Sequence, residues 1–87
     1  MTKQELEQEL EMLCKFYGNE LSRLQSEVWY EIFKNIKKEP FHTATIRYIR
    51  EDIYGKYPAP GKITAILREL YSYDENNLLE EIIEKNG

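Results

Sequence analysis

The sequence has few of the residues from which metal and catalytic sites are usually built. Its 87 residues include one cysteine, Cys14, and one histidine, His42. A single cysteine cannot form an intrachain disulfide, and a zinc site needs several Cys or His ligands at suitable spacing. Nucleophilic catalysis by a Cys–His pair would also need an orienting group and a pocket, which the sequence does not indicate. We therefore expect no metal ion, no cofactor and no catalytic residue.

Clustered glycines and long apolar runs are also missing. The four glycines stand apart from one another, which excludes a glycine-rich phosphate loop. No apolar run approaches the roughly 20 residues needed to span a bilayer, and the N-terminal MTKQELEQEL lacks the basic and apolar regions of a signal peptide. These features predict a cytoplasmic protein that neither enters a membrane nor acts on a small-molecule substrate.

Charge is abundant and unevenly distributed along the chain. Residues 1–32 contain three Lys or Arg and seven Asp or Glu. Residues 33–68 contain eight basic and three acidic residues, and residues 69–87 contain one basic and six acidic residues. The segments carry −4, +5 and −5, which sum to the net charge of −4. The basic middle is either an electrostatic docking surface or the neutralising counterpart of the acidic ends within the fold.

Apolar residues recur at helical spacing and predict an all-α fold, a compact bundle of four to five short helices in a single domain over 1–87. The predicted helices cover 2–17, 20–37, 40–55 and 61–72, with a short C-terminal helix over 74–86. Thr2 and Glu5 form a capping box, and Gly18 suits a left-handed C-cap. Pro40 suits the first turn of a helix.

The helical spacing also predicts the buried faces. In the first helix they are Leu6, Leu10, Leu13 and Tyr17, widened by Met12 and Phe16. In the second they are Leu21, Leu24, Val28, Ile32 and Ile36, joined by Trp29 and Phe33. In the third helix they are Phe41, Ala44, Thr45, Tyr48, Ile49 and Ile53. In the fourth helix they are Ile63, Ile66, Leu67, Leu70 and Tyr71. Glutamates at positions 5, 7, 9 and 11 (Glu5, Glu7, Glu9 and Glu11) are expected to be exposed to solvent. Acid–base catalysis by two carboxyl groups requires that they lie in different environments, so these residues are not expected to be catalytic.

Basic and aromatic residues alternate in the middle segment, a pattern that is typical of nucleic-acid binding. The candidate nucleic-acid-binding residues are Lys34, Lys37, Lys38, Arg47, Arg50, Lys56, Lys62 and Arg68. Against this interpretation stand the negative net charge and the Tyr-Pro-Ala-Pro-Gly connector, because a helix-turn-helix joins its helices by a short turn.

Roughly residues 4 to 72 resemble the phage replicative-helicase loader and inhibitor family. The pattern is a tryptophan early in a helix, a helix with an alanine and a Tyr-Ile pair, a proline-rich connector and an isoleucine-led helix. Here it consists of Trp29, Ala44, Tyr48, Ile49, Pro58, Pro60, Ile63 and Ile66. The resemblance implies a helical domain without ATPase activity that binds a hexameric replicative helicase, restrains or loads it, and lies in the host cytoplasm.

Members of that family are expected to carry a longer C-terminal extension that contacts the helicase, whereas here only 74–87 follow the fourth helix. The predicted partner-binding residues are Leu78, Leu79, Glu80, Glu81, Ile82, Ile83 and Glu84. They could lie in an apolar groove of the partner with their glutamates against a basic rim, or they could form a core helix. A further alternative is an inhibitor of another host protein that acts through Glu5, Glu7, Glu9 and Glu11.

Overall fold

The computed structural model describes residues 1–72 and 82–84. Over these residues the chain is all-α and contains no strand. Its helices are α1 (Lys3–Tyr17), α2 (Arg23–Phe33), α3 (Lys38–Glu51) and α4 (Pro60–Tyr71). The Cα radius of gyration is 12.4 Å, close to the roughly 12 Å expected for a compact chain of this length. The predicted fold class is confirmed.

The ends of α1 follow the predicted capping chemistry. The Glu5 amide donates to Thr2 Oγ1 at 3.1 Å, and the Thr2 amide donates to the Glu5 carboxylate at 2.8 Å. Gly18 adopts φ 68°, the left-handed conformation expected after the last turn. A second capping box, which the sequence analysis missed, joins Ser22 and Gln25 and starts α2 at Arg23 instead of residue 20.

Two other predicted helices are too long at their C-terminal ends. α2 ends at Phe33 instead of residue 37, and α3 ends at Glu51 instead of residue 55, although α3 begins at Lys38, two residues earlier than predicted. Asp52 is the C-cap of α3 with an extended backbone. α4 begins at Pro60, one residue earlier than predicted, because a proline at the first helical position gives up no hydrogen bond.

The core joins all four helices. Its buried apolar residues are Met1, Leu6, Leu10, Leu13, Trp29, Phe33, Ile36, Phe41, Ala44, Ile63, Leu67 and Ile82. Phe33 and Phe41 meet edge to face at 4.9 Å between ring centroids, and Trp29 lies 5.5 Å from Phe33. The Phe33–Phe41 pair joins α2 to α3, and Trp29 extends the aromatic cluster along α2.

Several predicted buried residues lie at the surface. The corrections concern Phe16, Leu24, Val28, Ile32, Ile53 and Leu70, which are between 38% and 83% exposed. Glu9 shows the opposite error: it was predicted to be exposed to solvent, but it is only 6% exposed. Its carboxylate lies 2.6 Å from His42 Nδ1. Helical spacing identifies an apolar stripe, but only the neighbouring elements decide which part of a broad stripe is covered.

The predicted C-terminal helix lies mostly outside the described residues, and its described part is not helical. Ile83 forms an isolated antiparallel bridge with Ile36. The Lys37 amide donates to the Ile82 carbonyl at 2.7 Å, and the Glu84 amide donates to the Asn35 carbonyl at 3.0 Å. Residues 82–84 are therefore attached by backbone hydrogen bonds to the segment between α2 and α3.

Candidate functional site

The turn that follows α3 is held by one carboxylate. Asp52 Oδ1 accepts a hydrogen bond from the Tyr54 amide at 3.1 Å, and Oδ2 accepts from the Lys56 amide at 2.9 Å. The Tyr17 hydroxyl, which comes from the end of α1, donates to the same Oδ2 at 2.9 Å. Asp52 thereby fixes the turn locally and ties it to a second helix.

The far side of the turn is also fixed. The Tyr48 hydroxyl donates to the Lys56 carbonyl at 2.6 Å, and Gly55 adopts φ 64°. A positive φ is a conformation that glycine adopts without the steric cost of a Cβ atom. The backbone from Asp52 to Lys56 is therefore held at both ends by side chains from the helices beneath it.

This braced turn presents two large side chains to solvent. Ile53 is 83% exposed and Tyr54 is 85% exposed. Exposed isoleucine contributes nothing to the core, and ordering an exposed ring costs conformational entropy without burial in return. Large apolar side chains that a fixed backbone presents to water are a feature of binding surfaces.

The hydrogen bonds of the turn shift two pKa values in opposite directions. Desolvation alone would raise the pKa of Asp52, but the bonds it accepts from Tyr17 and from backbone amides outweigh that effect and hold the pKa below its ordinary value of 3.8. Burial, reinforced by the hydrogen bond to Asp52, raises the pKa of the Tyr17 hydroxyl above its ordinary value of 10.0. The pair is thus a neutral phenol bound to an ionised carboxylate over a wide pH range.

Replacing Tyr17 by phenylalanine is expected to lower the free energy of unfolding by about 1 kcal/mol at pH 7, the usual contribution of one hydrogen bond. Because the pKa of Asp52 is lowered by folding, its contribution is complete above its ordinary value of 3.8 and is lost as the pH falls through the folded value. The difference between the two proteins should therefore shrink below about pH 4. Urea unfolding at pH 7 and at pH 3 measures it.

Tyr54→Phe is the matched control, since it removes the same hydroxyl from a ring that is 85% exposed. Its effect should stay within about 0.5 kcal/mol at either pH. An equal loss of stability in Tyr17→Phe and Tyr54→Phe would contradict the bracing role of Tyr17.

The turn lies at one end of a groove along α3 and α4. The two helices are antiparallel, because the end of α3 at Glu51 lies beside Lys62 near the start of α4, and Thr43 near the start of α3 lies beside Leu70 near the end of α4. A cavity of about 590 Å³ lies at the turn end, lined by Tyr48, Glu51, Asp52, Ile53, Tyr54, Lys56, Lys62 and Ile66. A second cavity of about 310 Å³ lies at the other end, lined by His42, Thr43, Ile46, Arg47, Arg50 and Leu70.

The two cavities follow one seam, because Ile66 and Leu70 lie one helical turn apart on α4 and each lines one of them. We call this surface the α3–α4 groove. Its apolar and cationic residues are Ile46, Arg50, Ile53, Tyr54, Lys56, Lys62, Ile66 and Leu70. It combines an apolar floor with a charged rim, which is the usual composition of a docking site for an amphipathic segment.

The free charge of the α3–α4 groove is positive. Both Glu51 and Glu69 are paired with Arg47, at 2.9 and 2.6 Å, and the Asp52 carboxylate is occupied by the hydrogen bonds of the turn. By contrast, the cations Arg50, Lys56 and Lys62 form no ion pair with any described residue. A ligand in the groove would therefore meet three cations without an ion pair. Together with Arg47, four cations stand against the three carboxylates of Glu51, Asp52 and Glu69, which leaves a formal charge of +1.

The structure divides the eight candidate nucleic-acid-binding residues. Arg50, Lys56 and Lys62 come together at the α3–α4 groove, whereas Arg47 is engaged in its double ion pair and Lys34 is paired with Glu31 at 3.1 Å. The other three line neither cavity of the groove. They are Lys37 and Lys38 at the start of α3, and Arg68 on α4. Three of the eight, Arg50, Lys56 and Lys62, therefore lie at the groove without an ion pair to a described residue.

Only three of the predicted partner-binding residues lie in the described part of the chain. Ile82 is completely buried in the core, while Ile83 and Glu84 are half-buried. The Glu84 carboxylate pairs with the α-amino group of Met1. Leu78, Leu79, Glu80 and Glu81 lie outside the described residues. Ile82 cannot contact a partner unless it leaves the core.

The N-terminal glutamates do not form one acidic surface. Glu5 is used in the capping box, Glu9 is buried against His42, and Glu11 is paired with Lys15 at 2.8 Å. Glu7 alone of the four is exposed without such a contact to a described residue.

Sequence reasoning missed the apolar half of the groove, although one signal was present. Asp52 and Gly55 stand at the first and last positions of a four-residue turn, which are the places those residues prefer. That spacing would have ended α3 before Ile53. Helical spacing left Ile46 outside the predicted buried stripe, but it predicted that Leu70 was buried.

Comparisons of the chain with known protein families, with curated proteins and with solved structures give no match. Among the described residues, no helix is long and apolar enough to cross a membrane, and no group of three His, Cys, Asp or Glu side chains is placed to hold a metal ion. The function proposed below therefore rests on the residues of the α3–α4 groove.

Proposed function

We propose that this chain is a non-catalytic protein-binding module, and that the α3–α4 groove receives an acidic amphipathic segment of its partner. The braced turn carries the proposal. Asp52 and Tyr48 hold Ile53 and Tyr54 in solvent beside the groove, although neither exposed side chain stabilises the fold. An exposed aromatic residue and an exposed aliphatic residue on a fixed turn at one end of an apolar groove are suited to anchor a protein interface.

The charge of the groove specifies the chemistry of the partner. Carboxylates on the rim of the docking segment would meet Arg50, Lys56 and Lys62, while its apolar side chains would cover Ile66 and Ile53. Such rim contacts mainly increase the association rate and select against basic partners, and the apolar floor supplies most of the affinity.

The resemblance to helicase loaders and inhibitors supplies the specific partner, a hexameric replicative helicase. The residues that carry the resemblance include Trp29, Ala44 and Ile63, which are at most 4% exposed. They therefore concern the fold more than the contact surface. A module of this kind would restrain or load the helicase by binding one of its conformational states more tightly than another.

This function is tested by titrating the full chain into a purified bacterial hexameric replicative helicase. Calorimetry measures the binding, and the ATPase rate of the helicase measures its functional effect. Wild type should bind saturably, and Ile53→Asp should raise Kd at least about tenfold because it removes an anchor. Lys62→Glu should raise Kd several-fold, with a larger effect at low salt. Arg68→Glu is the matched control, since Arg68 lies on the same helix away from the groove, and its Kd should stay unchanged.

Two results would overturn the proposal. Absence of saturable binding would remove the helicase as the partner, and equal binding by wild type and Ile53→Asp would remove the groove as the site.

The same variants are titrated into a labelled single-stranded oligonucleotide at about 50 and 200 mM salt. Tight oligonucleotide binding that collapses at the higher salt would establish nucleic acid as the ligand instead.

A further inference from the structure

His42 lies at the end of the α3–α4 groove that is away from the braced turn. Its side chain is 46% exposed and lines the cavity of about 310 Å³ together with Ile46, Arg50 and Leu70. His42 is the only histidine of the chain, and histidine is the side chain that ordinarily changes its charge between about pH 5 and 8. The charge at this end of the groove therefore depends on the protonation of one ring.

A buried carboxylate from another helix orients the ring of His42. Its Nδ1 atom lies 2.6 Å from Glu9 Oε1 on α1, and Glu9 is only 6% exposed. An ionised carboxylate only accepts hydrogen bonds, so the proton of the neutral ring is assigned to Nδ1. Nε2 has no hydrogen bond to a described residue. It is therefore an acceptor in the neutral ring and a donor in the protonated ring.

The other charges at this end of the groove include one free cation. The charged side chains that neighbour His42 are Glu9 on α1, Lys38, Glu39, Arg47 and Arg50 on α3, and Glu69 on α4. Arg47 is bound to Glu51 and Glu69, whereas Arg50 forms no ion pair with any described residue. A carboxylate that enters this end would therefore find Arg50 as a permanent partner and His42 as a partner only when its ring is protonated.

We infer that His42 is a specificity-determining residue of the groove, which binds a carboxylate of the docked segment through its protonated Nε2 and makes docking pH-dependent. This inference rests on the proposed docking role of the groove. The neutral ring presents a lone pair at Nε2, which repels a carboxylate, whereas the protonated ring presents an N–H group, which binds it. Docking of an acidic segment is therefore coupled to the uptake of a proton.

The direction of the pH effect follows from the form of His42 that the ligand prefers. A carboxylate binds the protonated ring more tightly, so lowering the pH increases the population that binds. Because the ring is 46% exposed, water screens the contact. We expect Kd to fall about threefold between about pH 8 and 6.

Calorimetry of the full chain with a synthetic amphipathic peptide tests the inference. The peptide has about 14 residues, enough for a helix of about 20 Å, contains only leucine, alanine and glutamate, and is blocked at both ends. It therefore has no group that titrates between about pH 6 and 8. Wild type should bind it about threefold more tightly at the lower pH. At neutral pH, titrations in phosphate and in Tris, whose ionisation enthalpies differ, should show net proton uptake on binding.

His42→Gln should abolish both the pH dependence and the proton uptake, because glutamine does not titrate and its amide can still donate to Glu9. Arg50→Gln is the matched contrast: it should weaken binding at both pH values and keep the ratio between them, since it removes a permanent charge.

Equal pH dependence in wild type and His42→Gln would overturn the inference, as would the absence of proton uptake by wild type. The second measurement needs no variant, so it decides the question even if His42→Gln does not fold. A pH-independent Kd that still rises in Ile53→Asp would overturn the role of His42 and retain the groove as the docking site. Absence of peptide binding by wild type at either pH would overturn both.

Discussion

Replacing Phe33 by alanine is expected to lower the free energy of unfolding by about 4 kcal/mol, the usual cost of removing a large buried ring. Phe33 is 1% exposed and packs between Trp29 and Phe41, at ring distances of 5.5 and 4.9 Å. A small domain has only about 5 to 15 kcal/mol in total, so this loss is a large share of it. Urea unfolding followed by Trp29 fluorescence and by circular dichroism measures it.

Ile32→Ala is the matched control for Phe33→Ala. Ile32 is the preceding residue and belongs to the same predicted apolar stripe, but it is 43% exposed. Its replacement should cost no more than about 1 kcal/mol. Should Phe33→Ala fail to fold, Phe33→Leu gives a measurable loss of about 1 to 2 kcal/mol. Comparable losses from Ile32→Ala and Phe33→Leu would show that the wrong face of α2 has been assigned to the core.

Replacing Ile82 by alanine is expected to lower the free energy of unfolding by about 3 kcal/mol. Ile82 is completely buried, and its carbonyl accepts a hydrogen bond from the Lys37 amide at 2.7 Å. The side chain therefore fills space in the core beside the segment that joins α2 to α3. The same unfolding measurement checks the loss.

Ile53→Ala makes the identical chemical change at a position that is 83% exposed, and should change the stability by no more than about 0.5 kcal/mol. The comparison also tests the partner-binding role predicted for the C-terminal residues. If Ile82→Ala were as mild as Ile53→Ala, residues 82–84 would not be docked on the fold, and the C-terminal segment would be free to contact a partner.

The second helix shows the limit of predicting buried faces from helical spacing. Leu24, Val28, Ile32, Trp29 and Phe33 all satisfy the periodicity of an amphipathic helix, and together they predicted one broad buried face. The fold covers only the side that carries the two aromatic rings. A small domain lacks the chain length to surround a helix, so one of the two apolar sides stays in water.

The groove could be predicted in part. Its cations are visible in the basic middle segment, where Tyr54 is one of the interspersed aromatic residues. Its apolar floor was invisible, because Ile53, Ile66 and Leu70 were all predicted to lie in the buried stripes of their helices. Helical spacing allows the pairing of Arg47 with Glu51, four residues later on the same helix, but it does not show the pairing of Arg47 with Glu69 on α4.

Local chemistry in the sequence by itself determined that the chain is helical and, to within one residue, where α1 and α4 begin and end. Capping boxes, a left-handed glycine and prolines act over a few residues, so their effect can be read in one dimension. Only the tertiary structure decided which apolar faces are buried, which charges are compensated, and that Ile82 belongs to the core. Those outcomes depend on contacts between residues distant in sequence, such as Tyr17 with Asp52 and Ile36 with Ile83, which no local pattern specifies.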